Sequence, residues 1–88
     1  MGIIIKKNVL TVEGEDLDIY IADELKTALL DLYKKGKKKV SLDLVNVERI
    51  TTPAAQVILS AKKTFSEVKI INAGGSISLD LKNIGVEL

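Results

Sequence analysis

The sequence contains no cysteine, no histidine and no tryptophan. Without cysteine there can be no disulfide and no thiolate metal site. Without histidine the chain lacks the commonest general base and the commonest metal ligand. Any enzymatic chemistry would therefore rest on carboxylates, lysines or hydroxyls. Aromatic residues are few: Tyr20, Tyr33 and Phe65. Long apolar runs are missing as well. Stretches such as Gly2 to Ile5 fall far short of the roughly 20 residues that span a bilayer. The N-terminus lacks the basic-then-apolar signature of a secretory signal, so a cytoplasmic location is expected. Charge of one sign is absent too. Thirteen basic and twelve acidic residues leave a formal charge of +1, which as a whole gives no drive towards nucleic acid or an anionic membrane.

What is present is an aliphatic globular composition. Of the 88 residues, 47% are hydrophobic, mostly Ile, Leu, Val and Ala, which is too many for a disordered chain. A chain of this length holds one domain, spanning residues 1–88, with a modest core. No internal repeat, linker or low-complexity tract divides it.

Hydrophobic periodicity gives the order of elements. Residues 3–5 read as a short β-branched strand, Lys6 to Asn8 as a turn and residues 9–14 as a second strand, together a hairpin. Residues 15–19 are expected to be a loop. Ile21, Leu25, Ala28, Leu29 and Leu32 then recur at helical spacing. Acids in the first turn and lysines in the last would suit the helix dipole, and Gly36 is a stop signal. Residues 40–45 alternate apolar Val40, Leu42 and Leu44 with Ser41 and Asp43, a strand with one buried face. Residues 46–50 read as a loop. Thr52-Pro53 reads as a helix start, with the Thr52 hydroxyl at the N-cap and proline in the first helical position. That helix runs to about Phe65, with Ala54, Val57, Ile58, Ala61 and Phe65 inside. Residues 68–72 form another strand. Gly74-Gly75 is a break. Ser76 or Ser78 caps a short last helix through Asn83, ended by Gly85. The order is β-β-α-β-α-β-α. It predicts an α/β fold: a single-layer mixed β-sheet of about four strands packed with helices.

Two stretches resemble STAS domains, the anti-sigma factor antagonist family. Residues 14–25, from Gly14-Glu15-Asp16-Leu17-Asp18 into Asp23-Glu24-Leu25, are similar to the family's passage from its second strand into its first helix. Residues 40–59 follow the family's order of an alternating Leu-Asp-Leu strand, a short loop and a hydroxyl-capped helix. The closing Leu81-Lys82-Asn83-Ile84-Gly85-Val86 is similar to its last short helix. Members usually continue past the position of Leu88, so the resemblance implies a compact variant.

The resemblance implies a non-enzymatic protein-interaction module of a bacterial signalling system, anti-sigma antagonist-like or chemotaxis-associated. The partner would be an anti-sigma-type kinase or another signalling protein. In the family an Asp-Ser-x-Gly pattern opens the second long helix, and its serine is phosphorylated. Laid on this chain, Thr51 stands at the aspartate, Thr52 at the serine and Ala54 at the glycine, so only the hydroxyl is kept. Thr52 therefore has two readings: a helix cap, or a phosphoacceptor whose phosphate would meet the helix N-terminus. The partner face implied comprises Thr51, Thr52, Pro53, Ala55, Gln56 and Leu59, with Ala55 and Leu59 expected off the inner stripe. The missing acid and glycine fit a second role, as a STAS accessory subunit of a transport complex such as a lipid-trafficking ATP-binding-cassette system.

Other candidates read more plainly. Lys34, Lys35 and Lys37 to Lys39 cluster around Gly36, where they could touch nucleic acid or lipid headgroups; without aromatic stacking partners and with neutral charge balance elsewhere, a solvated helix end and strand entry is the better account. Gly74-Gly75-Ser76 lacks P-loop spacing. Glu15, Asp16 and Asp18 lack the spacing of a calcium loop. The sequence gives no reason to expect a cofactor, a metal, nucleic acid or direct membrane insertion.

Overall fold

The computed structural model describes residues 2–83 and 85. Strands β1 (Ile3–Lys6) and β2 (Val9–Val12) form an antiparallel hairpin, with Ile3 opposite Val12 and Lys6 opposite Val9. Lys7 turns the chain with a positive φ of 55°. Two further strands, β4 (Lys39–Asp43) and β6 (Glu67–Ile71), lie parallel to β2. The four make one mixed sheet in the order β1-β2-β4-β6. Helices α1 (Ile19–Lys34), α2 (Thr52–Thr64) and α3 (Gly75–Asn83) complete the fold. The expected architecture is therefore the observed one.

Alternation along the strands decides which face of the sheet is covered. Val40 and Leu42 on β4 are buried while Ser41 and Asp43 are half-buried. Leu10 and Val12 on β2 and Val68 on β6 join the buried set. Against them pack Ala22, Leu25, Leu29 and Leu32 of α1, and Ala54, Ile58 and Ala61 of α2. Ile77 and Leu81 of α3 close the core.

Two elements were not legible in the sequence. β3 (Asp16–Leu17) and β5 (Arg49–Ile50), both expected as loop, pair in parallel as a separate two-stranded sheet. Two residues carry no periodicity, and each strand exists only because the other lies beside it. Helix ends differ too. The first turn of α1 holds no acid. Its amides are met instead by the Asp18 side chain, which accepts from the N–H groups of Tyr20 and Ile21 at 3.0 Å each, the usual N-cap arrangement. At the other end Gly36, at φ +84°, donates to the Tyr33 carbonyl, and Lys37 donates to the Leu32 carbonyl. This paired pattern is a Schellman motif, which requires the left-handed residue glycine supplies. Helix α3 begins at Gly75, so Ser76 and Ser78 lie inside it and do not cap it. The Ser78 hydroxyl reaches back to the Ala73 carbonyl. Gly85 follows with φ +95°; Ile84 and Val86 lie outside the described residues. β6 stops at Ile71 because Asn72 turns to φ +58° and its side-chain amide donates to Asp43.

Candidate functional site

The small β3–β5 sheet fixes the site. β3 runs directly into Asp18 and α1, and β5 runs directly into Thr51 and α2. Their parallel pairing sets the N-termini of the two long helices side by side. The Glu15 carbonyl accepts from the N–H groups of Glu48 and Arg49, and the Leu17 carbonyl accepts from that of Thr51 at 3.1 Å. Outside this ladder Arg49 forms an ion pair with Asp16. That hydrogen bond and the charge of Asp16 raise the Arg49 pKa further, so the guanidinium stays charged at any physiological pH.

The start of α2 departs from the expected cap. Thr51, not Thr52, is the N-cap residue, and it makes no side-chain cap bond. Its hydroxyl turns away from the helix and donates to the Leu17 carbonyl at 3.0 Å. Thr52 is the first helical residue, and Pro53 follows it. The reason is orientation: the rotamer that lets the hydroxyl donate to the β3 carbonyl leaves its oxygen without a bond from the helix amides. Thr52 is left exposed, and its side chain makes no hydrogen bond among the described residues.

Of the six residues expected at a partner face, Thr51, Thr52, Pro53 and Gln56 are exposed together on the first turns of α2. Ala55 does not belong with them. It is 4% exposed and so offers a partner almost no contact area. Leu59 is half-buried and packs against the core. Both were expected off the inner stripe; the buried stripe is simply wider than single-face periodicity implied.

The sequence reading missed the other half of the surface. On α1, Ile19 and Tyr20 are 59% and 78% exposed beside the α2 start. With Asp23, Lys26, Pro53 and Val57 they line a hollow of about 510 Å³ between the helices. The groove continues along the helix pair into an apolar hollow of about 360 Å³, whose walls include Leu29, Leu30, Tyr33, Val57 and Phe65. The rings of Tyr33 and Phe65 meet edge to face at 5.8 Å. The signal was in the sequence: Ile19, Leu30 and Tyr33 are apolar, recur at helical spacing and fall outside the Leu25–Leu29–Leu32 stripe. Exposed large apolar side chains clustered in this way mark contact surfaces.

Asp18 is occupied as a cap and Asp16 by Arg49, so neither is free to hold a cation. Among the described residues no helix is long and apolar enough to cross a membrane. A family model described as STAS domain matches residues 3–87. No curated protein matches the chain.

Proposed function

The chain belongs to the STAS domain family, and on that footing we propose that it works as a non-enzymatic protein-interaction module of a cytoplasmic bacterial signalling system. The observation that supports this is the continuous exposed surface formed where α1 and α2 begin. Thr52, Pro53 and Gln56 supply its polar side and Ile19 and Tyr20 its apolar side. The charged side chains lining the adjoining groove are Asp23 and Lys26, a poor basis for acid–base chemistry and an ordinary one for docking.

Thr52 is the switch in this reading. A phosphate on its exposed hydroxyl would carry about two negative charges at neutral pH. It would stand at the uncapped start of α2, where the helix dipole tolerates an anion. The free domain would therefore be little affected, while a partner covering Thr52 would have to bury or neutralise the added charge. An anti-sigma-type kinase, or another signalling protein such as a chemotaxis component, is the class of partner that fits.

One observation favours a second role. Thr51 and Ala54 replace the acid and the glycine of the family's phosphorylation pattern, and the Thr51 hydroxyl is already committed to Leu17. A module that is never phosphorylated, such as the accessory subunit of a lipid-trafficking transporter, has no need of that pattern.

The test compares partner recovery by wild type, Thr52→Ala and Thr52→Asp, with mass spectrometry of the protein after incubation with the kinase of its own system. A Thr52 phosphate and a partner lost only by Thr52→Asp support the switch. Equal recovery by all three, with Thr52 unmodified, leaves the transporter role.

A further inference from the structure

The end of the molecule opposite the docking face is strongly basic, which neither the net charge of +1 nor the sequence cluster around Gly36 conveys. Parallel β4 and β6 place the C-termini of α1 and α2 together at the strand N-termini. Lys34 and Lys35 close α1, and residues 37–39 lead into β4. The last turn of α2 adds Lys62 and Lys63. The hairpin turn adds Lys6 and Lys7, held there because Asn8 donates its side-chain amide to the Lys39 carbonyl. The Lys38 carbonyl accepts from Ser66 and Glu67, tying the start of β6 to the same end. Nine of the chain's thirteen basic residues thus gather at one pole. Among the described residues, Asp31 pairs with Lys35 at 3.4 Å and Glu67 faces Lys39 in register; Lys62 is engaged as well, so the surplus rests on the other lysines.

Helix dipoles do not account for this density. Two helix C-termini present about half a negative charge each, one charge in all. The surplus repels itself and costs stability unless an anionic surface covers it.

We propose that this lysine pole docks on the surface of an anionic lipid bilayer, peripherally and without insertion. Three observations favour a bilayer over nucleic acid. Every cation at the pole is lysine, a hydrated point charge, whereas the forked arginine that reads bases and phosphates occurs once, at the other end, as Arg49. One exposed aromatic stands near the lysines, Tyr33, and there is no row of aromatic rings among the described residues on which successive bases could stack. Beside the pole α1 instead exposes Leu30 and Tyr33, 48% and 53% exposed, a pairing suited to the headgroup region, where tyrosine is enriched. Such a membrane would cover the Leu30–Tyr33 end of the groove, while Ile19, Tyr20, Thr52 and Gln56 at the α1 and α2 starts lie at the far end and stay open to a protein partner.

Vesicle sedimentation tests this with the whole chain. Phosphatidylcholine vesicles are compared with vesicles containing about 30% phosphatidylserine, at about 0.05 M and about 0.5 M salt. The wild type should sediment only with the anionic vesicles and be released by the higher salt, a result that needs no variant. Lys38→Gln should weaken partitioning about fivefold, and Lys34→Gln, Lys37→Gln and Lys38→Gln together about a hundredfold. Lys82→Gln on α3 should leave it within about twofold. No sedimentation at low salt, or equal weakening by Lys82→Gln, overturns the proposal. So does displacement of the protein from vesicles by a short DNA duplex at equal phosphate concentration.

Discussion

Replacing Thr51 with valine removes one hydroxyl and little else. The side chain keeps its shape, and the extended backbone at this position, φ −94° and ψ 160°, suits a β-branched residue. What is lost is the half-buried bond to the Leu17 carbonyl, 3.0 Å long. Such a neutral bond contributes about 1 kcal/mol net. The carbonyl is not orphaned, because the Thr51 N–H still donates to it at 3.1 Å, so no desolvation penalty is added. A chain of this size has roughly 4–13 kcal/mol of stability, and it should stay folded. With a urea slope of about 1–2 kcal/mol/M, the midpoint should fall by about 0.5–1 M. Amide exchange should show where the loss sits. Protection should drop at Thr51 and at Glu48 and Arg49 on the β3–β5 ladder, and persist at Ala55 within α2. Thr52→Val should change stability by less than about 0.5 kcal/mol, since its exposed hydroxyl bonds to nothing among the described residues. An unmoved midpoint for Thr51→Val, or fraying confined to the first turn of α2, would refute the assignment of this hydroxyl to β3. The pattern would then be that of an ordinary helix cap.

Three other substitutions probe the scaffold around the site. Asp18→Ala removes the acceptor for two α1 amides and should cost about 1 kcal/mol, read as a lower urea midpoint with faster exchange at Tyr20 and Ile21. Gly36→Ala forces a Cβ into the left-handed conformation at φ +84° and should cost about 1–2 kcal/mol by the same assay, although nothing crowds the position. Leu25→Ala empties a fully buried site on the inner face of α1 and should cost about 2–5 kcal/mol, lowering the thermal midpoint by roughly 10 °C or more.

The fold was legible where apolar spacing extends over several turns or strand residues. The Leu25–Leu29–Leu32 stripe and the Val40–Leu42 alternation each repeat often enough to fix an element and its inner face. The site was legible only in part. Thr52, Pro53 and Gln56 could be found because proline near a helix start is a local signal. The role of Thr51 could not, because its bond partner lies 34 residues away on a strand too short to show a pattern. Ala55 misled for a different reason: a small residue is compatible with either a buried or an exposed position, and only its surroundings in the folded chain decide which it takes. The lysine pole illustrates the same limit, since three separate stretches, residues 6–7, 34–39 and 62–63, meet there only after the parallel strands bring them together.

The most direct test of the central claim is site-specific photocrosslinking in the producing cells, with the probe placed in turn at Gln56, Tyr20 and Lys69. The first two border the docking face, and Lys69 lies exposed on β6. A docking module that uses the starts of α1 and α2 should give the same protein adduct from Gln56 and Tyr20 and none from Lys69, and Thr52→Asp should abolish both. Adducts formed from Lys69 alone, with none from either helix start, would contradict it.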